Sequence, residues 1–292
     1  MLNTDPPIFQ DLKSAIKTGD IPKFQSLLQE WRSDSSIPGP TPSDIDELVP
    51  RAAEGVGQPA ILEYLLLQGG SSNIDTYTIG KTQSPQIFEV FIKNGWKVHN
   101  GLLHSHVKHP ELVALFFAHG ADANPPISRG YYPLETAALC APLESVKILL
   151  SHGAHIGPER RAMNAAARGD VPDRTPIMSL LLEHGADINA LAEDYPALSE
   201  AKLPGRKGTP LHSAAKWGNE EATLWLLEHG ADADVRNEVG ETAEEWRKRF
   251  ERGGTDSVLR IRRDIFRKNQ RKKEKEEKEK EKEGEAANAE EV

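Results

Sequence analysis

One heptapeptide returns along this chain. Leu181-Leu182-Glu183-His184-Gly185-Ala186-Asp187 recurs almost letter for letter as Leu226-Leu227-Glu228-His229-Gly230-Ala231-Asp232. Looser copies stand at Phe116-Phe117-Ala118-His119-Gly120-Ala121-Asp122 and Leu149-Leu150-Ser151-His152-Gly153-Ala154. Self-similarity at a period of about 20–50 residues makes an array in which each unit contacts its neighbours, so binding falls on a row of equivalent surface positions. Gly120 and Gly153 are 33 residues apart, and Gly153 and Gly185 are 32. That period suits a unit of two short helices and a hairpin loop.

Ahead of Leu226 lies Thr209-Pro210-Leu211-His212-Ser213-Ala214-Ala215, with Gly218 three residues further on. Each letter has a physical task. Pro210 suits the first helical position, where a missing N–H costs nothing, and Thr209 before it is a good N-cap. Ala214 and Ala215 are small enough for an inner helix to pack closely on its neighbour. Leu226 and Leu227 supply the apolar stripe of the second helix, and Gly230 stands where a helix ends with positive φ. This order resembles the ankyrin repeat, whose signature includes Thr-Pro-Leu-His-x-Ala at a period of about 33. The resemblance covers roughly residues 9–250 and is most specific over 101–240. Its degenerate units, with Asn94-Gly95-Trp96 and Pro110-Glu111-Leu112-Val113, look like the divergent repeat proteins of filamentous fungi. It implies an all-α solenoid, a structural role for His212 in the turn, and protein recognition through hairpin tips and the exposed side of the first helices.

Laid back along the chain, the template finds a good copy in Tyr132-Pro133-Leu134 with Ala137-Ala138 and Leu149-Leu150. Another is Ala165-Ala166 with Gly169 and Leu181-Leu182. The pattern decays toward the N-terminus. Residues 9–31 keep the spacing with Ala15-Ile16, Gly19 and Leu27-Leu28, and Ala52-Ala53 with Leu65-Leu66 and Gly69 make a second unit. Phe91-Ile92-Lys93-Asn94-Gly95-Trp96 closes a third whose first helix has lost its alanine pair, and residues 104–120 supply the fourth. About seven helix pairs are expected, with a half-repeat from Gly240 and a repeat domain over 9–250. Residues 251–273 are expected to form a capping helix with a basic segment, its stripe being Val258, Ile261, Ile265 and Phe266, and 274–292 a charged tail. Three irregularities interrupt the array: a Pro/Ser/Gly loop at 32–44, a longer turn at 171–176, and an insertion at 191–207.

The net charge of -9 is unevenly spread: residues 247–273 hold twelve Lys/Arg against three Asp/Glu, and 274–292 four against nine. Residues 1–246 therefore carry -13. Such a body repels phosphate backbones, so nucleic acid is a poor partner and a basic protein a better one. The basic run 267–273 offers an import signal or nucleic-acid contact as the competing reading of a nuclear regulator. The first residues lack the basic-then-apolar pattern of a secretory signal, and no apolar run reaches the roughly 20 residues of a membrane helix. The single Cys140 has no partner within the chain, which fits a reducing compartment. A monomer in the cytoplasm is expected, with the nucleus as the alternative.

Catalysis finds no support in the residues, and neither cofactor nor metal is expected. His99, His104, His106 and His109 resemble a metal site most, yet a helix points His104 and His106 in different directions, and no acid or thiolate joins them. The Asp residues after Gly-Ala (Asp122, Asp187, Asp232) read as hairpin residues. By position, the resemblance assigns partner contacts to Arg129, Tyr131 and Tyr132, to Arg206 and Lys207, and to Asn237 and Glu238 at hairpin tips. From the helices it adds Arg168, Lys216 and Trp217. Tyr131, Tyr132 and Trp217 lead, because aromatic residues and arginine are enriched at binding hot spots.

Overall fold

The computed structural model describes residues 6–54, 57–99, 101–125, 132–156, 161–169, 172, 174–193 and 207–250. The capping helix expected at 251–273 and the charged tail at 274–292 lie outside the described residues. The chain divides into two compact units, Met1–Gly130 and Tyr131–Val292.

Helices follow one another through the first unit as α1 (Pro7–Thr18), α2 (Ile21–Ser33), α3 (Pro42–Ala53), α4 (Pro59–Leu67), α5 (Thr76–Gly80), α6 (Pro85–Lys93), α7 (Gly101–His106) and α8 (Pro110–Ala118). The odd-numbered helices pack in one row, α1 on α3 on α5 on α7, and the even-numbered ones in another, α2 on α4 on α6 on α8. Local chemistry explains the boundaries. Proline stands in the first turn of α1, α3, α4, α6 and α8, where its fixed φ is already helical and its missing N–H has no partner to lose. The loop at 32–44 ends in a capping box: Thr41 N–H donates to Asp44 Oδ2 at 2.7 Å, and Asp44 N–H returns to Thr41 Oγ1 at 3.3 Å. In the third pair, where the alanines are missing, α5 is only five residues long. There the buried Thr82 hydroxyl donates to Ala53 O at 2.9 Å and ties the end of that unit to α3.

The second unit comprises α9 (Pro133–Cys140), α10 (Leu143–Ser151), α11 (Ala162–Arg168), α12 (Arg174–Glu183), β1 (Ala192–Glu193), β2 (Lys207–Gly208), α13 (Pro210–Lys216), α14 (Glu220–Glu228) and α15 (Ala243–Phe250). Again two rows form, α9, α11, α13 and α15 side by side and α10, α12 and α14 side by side. The alanine pairs explain the first row: Ala137, Ala138, Ala165, Ala166, Ala214 and Ala215 are all buried. Leu149, Leu181 and Leu226 fill the space between rows, each stabilising by about 1.5–3 kcal/mol. The all-α reading holds, with one small ladder among the described residues. Ala192 pairs with Gly208 and Glu193 with Lys207, antiparallel, which joins the two ends of the insertion expected at 191–207.

Gly185 and Gly230 end α12 and α14 with φ of 88° and 97°. The chain folds back there through Ala186 N–H to Leu181 O at 3.0 Å and Ala231 N–H to Leu226 O at 2.9 Å. Space around both glycines is open, so the cost of a side chain is one of backbone conformation. Gly185→Val or Gly230→Val is expected to destabilise the unit by about 1–2 kcal/mol, the penalty of left-handed backbone for an L-residue. Variants that melt with the parent protein would contradict this account of the helix ends.

Candidate protein-binding face

Because the inner helices of the second unit lie side by side on alanine, their C-terminal ends form an edge with larger side chains projecting from it. Arg168 ends α11, Lys216 ends α13, and Trp217 follows as the C-cap of α13. The Arg168 guanidinium carbon lies 4.2 Å from the centre of the Trp217 ring, and Lys216 Nζ lies 5.8 Å from it. Lys216 Nζ is also 6.0 Å from the ring of Trp246 in α15. Trp217 nevertheless remains 52% exposed, whereas Trp246 is buried. An indole with two cations near its ring gains electrostatically from both, about 0.5–1 kcal/mol each at an exposed position. The arrangement can present a half-exposed flat aromatic surface, with two cations beside it, to an incoming chain.

Other expected contacts fall differently. Lys207 and Glu238 are exposed and adjacent, joined by Glu238 N–H to Lys207 O at 3.3 Å. Tyr132 is half-buried as the N-cap of α9, and its N–H donates to Glu135 Oε2 at 3.3 Å. Asn237 belongs to the turn and not to the surface. It is 6% exposed, and its Oδ1 accepts from Val239 N–H at 3.1 Å and Glu241 N–H at 2.9 Å. A short carboxamide in a turn satisfies its own backbone, which is why asparagine is favoured there. Arg129, Tyr131 and Arg206 lie outside the described residues, as does the basic run 267–273.

His212 works inside the repeat. Thr209 N–H donates to its Nδ1 at 3.2 Å, so the ring proton sits on Nε2, which donates to Glu241 O at 3.0 Å. This joins α13 to the turn before α15. Burial keeps the imidazole below its usual pKa, against the opposing pull of the Glu241 carbonyl. Among the other histidines, His106 is buried, with Nδ1 2.9 Å from Leu102 O and Nε2 2.8 Å from Thr82 O. His109 caps α8 and lies 3.5 Å from Glu111. Burial also lowers the pKa of His99, His104 and His106.

Two features escaped sequence reasoning. Arg174, expected in the long turn at 171–176 but the first residue of α12, is buried and donates to Gly169 O and to Asn219 Oδ1, the latter at 2.6 Å. Asn219 in turn donates from Nδ2 to Ala167 O at 3.0 Å, so one polar network pins the sixth repeat to the seventh. In the last half-repeat, Arg247 and Glu244 lie within α15. They are buried together at 3.1 Å, their spacing of three letting each satisfy the other.

A family model described as "Ankyrin repeats (3 copies)" matches residues 157–237. Residues 157–237 of this chain are ankyrin repeats. Over 79 residues it is 38% identical to "Protein phosphatase 1 regulatory subunit 12A" of Mus musculus, covering 27% of the chain and 6% of that protein. It is 30% identical to "Ankyrin repeat protein nuc-2" of Neurospora crassa over 142 residues, 47% of the chain and 12% of the relative. "Ankyrin repeat and SOCS box protein 11" of Danio rerio is 33% identical over 113 residues, 38% of the chain and 33% of that protein. The chain thus spans a third or less of each of these relatives. The ankyrin-repeat match includes Arg168, Lys216 and Trp217.

Proposed function

We propose that this chain is a non-catalytic scaffold or adaptor that binds a protein partner through the edge formed by α11 and α13. Ankyrin repeats imply protein–protein interaction, and one relative is by its name a regulatory subunit. The observation that carries the reading is Trp217, half-exposed at the end of an otherwise well-packed inner helix and lying against Arg168 of the preceding repeat. Trp and Arg dominate hot spots because a large flat group and a planar cation bury much area at little entropic cost. Lys207 and Glu238, exposed ahead of α13 and α15, add the hairpin side of the same unit to the proposed surface. The working compartment is the cytoplasm, with the nucleus as the alternative if residues 267–273 act as an address. A fluorescent fusion lacking 267–273 separates the two by its distribution. The binding proposal itself is tested by capture from the native host followed by mass spectrometry, with wild-type and Trp217→Ala baits side by side. A protein retained by the wild type and lost from the variant is expected, and identical captures overturn the reading.

A further inference from the structure

We propose that Thr41 is a phosphorylation site, the substrate of a protein kinase whose cleft takes a proline directly after the acceptor hydroxyl, and that its modification uncaps α3. A Ser/Thr-Pro pair stands at Thr41-Pro42, Ser84-Pro85, Thr175-Pro176 and Thr209-Pro210. The structure separates the first from the others. Ser84 and Thr209 are buried as the N-caps of α6 and α13, and Thr175 is half-buried inside α12. Thr41 is exposed, as are Pro42 and Ser43 after it and Pro38 and Gly39 before it.

An acceptor hydroxyl has to reach the γ-phosphate and the kinase's base together, so the residues around it must leave the protein surface. Here little stands in the way. Thr41 already has extended backbone, with φ of -85° and ψ of 163°. Open space surrounds the Cβ position of Gly39, and the loop is tied back one residue earlier, where Trp31 Nε1 donates to Pro38 O at 2.9 Å. Entry into a cleft then unwinds only the start of α3, where Pro42 and Ser43 give up little buried surface. Ser43, followed by Asp44, Asp46 and Glu47, is the rival acceptor for a kinase that reads acidic residues. Laying that run out straight, however, pulls Ile45 from the core.

In the transfer, Thr41 Oγ1 bonds to the γ-phosphorus of ATP, the bond from that phosphorus to the bridging oxygen breaks, ADP leaves, and the hydroxyl proton passes to the kinase's base. The product acts on the capping box. Thr41 Oγ1 donates to Asp44 Oδ2 at 2.6 Å, and the same oxygen accepts from Thr41 N–H at 2.7 Å. Phosphorylation removes the hydroxyl donor and sets about 1.5–2 negative charges beside that carboxylate. The helix dipole favours a phosphate here by less than the lost cap and the repulsion from Asp44 together cost. Because α3 packs between α1 and α5 in the inner row, the change reaches the first three repeats.

The test incubates the full chain with a purified mitogen-activated protein kinase and ATP and maps phosphate by mass spectrometry of its peptides. Phosphate is expected on Thr41 and not on Ser84, Thr175 or Thr209. Thr41→Val is expected to lose it, Thr41→Ser to keep it, and Pro42→Ala, which retains the hydroxyl, to lose it. Amides in the first turn of α3 are expected to exchange about fivefold faster in the modified chain, the scale of a lost N-cap. Phosphate on Ser43 in place of Thr41, incorporation into Pro42→Ala equal to wild type, or a chain left unmodified overturns the site. Unchanged exchange in a fully modified chain overturns the uncapping.

Discussion

Phe88→Ala is expected to cost the first unit about 3–5 kcal/mol, the usual range for deleting a buried aromatic side chain. Phe88 is fully buried in α6 and joins an aromatic cluster, with ring centres 4.9 Å from Phe116, 5.4 Å from His106 and 6.0 Å from Trp96. These partners belong to α8, to α7 and to the loop after α6, so one side chain holds the third and fourth repeats together. Removal leaves a cavity that three different elements must collapse to fill. Edge-to-face ring contacts add about 0.5–1.5 kcal/mol each beyond the area buried. Phe88→Leu keeps most of the volume and is expected to cost clearly less. Denaturant melts of both variants, with hydrogen exchange over α5 to α8 to localise the loss, check this. An alanine variant within about 1 kcal/mol of the parent, far below the cavity range, would show that the cluster is not the core of that unit.

Arg174→Ala is the second large effect, about 2–4 kcal/mol. Arg174 donates to Gly169 O and Asn219 Oδ1 from a buried position. A hydrogen bond to a charged group contributes about 1.5–3 kcal/mol, and a buried acceptor stripped of its donor costs a further 1–3. Asn219 softens the loss: its Nδ2 still reaches Ala167 O, and its Oδ1 still caps α14 by accepting from Ala222 N–H at 3.1 Å. The disturbance should therefore centre on the junction of the sixth and seventh repeats. Amide exchange at α11 and the start of α14 is expected to accelerate before that of α9. Equal melting and equal exchange would mean that the buried cation is not what joins these repeats.

The repeat itself was legible because its periodic letters answer to local physics: glycine at positive φ, an alanine pair between close helices, a proline in the first turn. What distant residues decide was not. Arg174 reads in sequence as a solvated turn residue, and its main partner Asn219 stands 45 positions away. Asn237 and Glu238 look alike as polar tip residues, yet the short carboxamide is buried and bonds its own turn, whereas Glu238 is exposed. The contact between Arg168 and Trp217 was half legible. Both were candidates by position in the repeat, but their meeting depends on the seventh repeat keeping its register after an insertion, which the Ala192–Gly208 pairing at the base secures. The lost alanine pair marked the first helix of the third unit as divergent, but neither its length of five residues nor the substitute tie from Thr82 to Ala53 carried a signal of its own.

Binding of the captured partner by titration calorimetry, with the wild type beside Arg168→Ala, Lys216→Ala and Trp217→Ala, tests the central claim most directly. Each substitution removes a side chain from an exposed edge, so circular dichroism melts should stay close to the parent. Trp217→Ala is expected to weaken binding by about 1–3 kcal/mol, and each cation substitution by a smaller amount in the same direction. A triple variant that keeps wild-type affinity with an unaltered melting curve would contradict the account and move the contact to the insertion at 191–207.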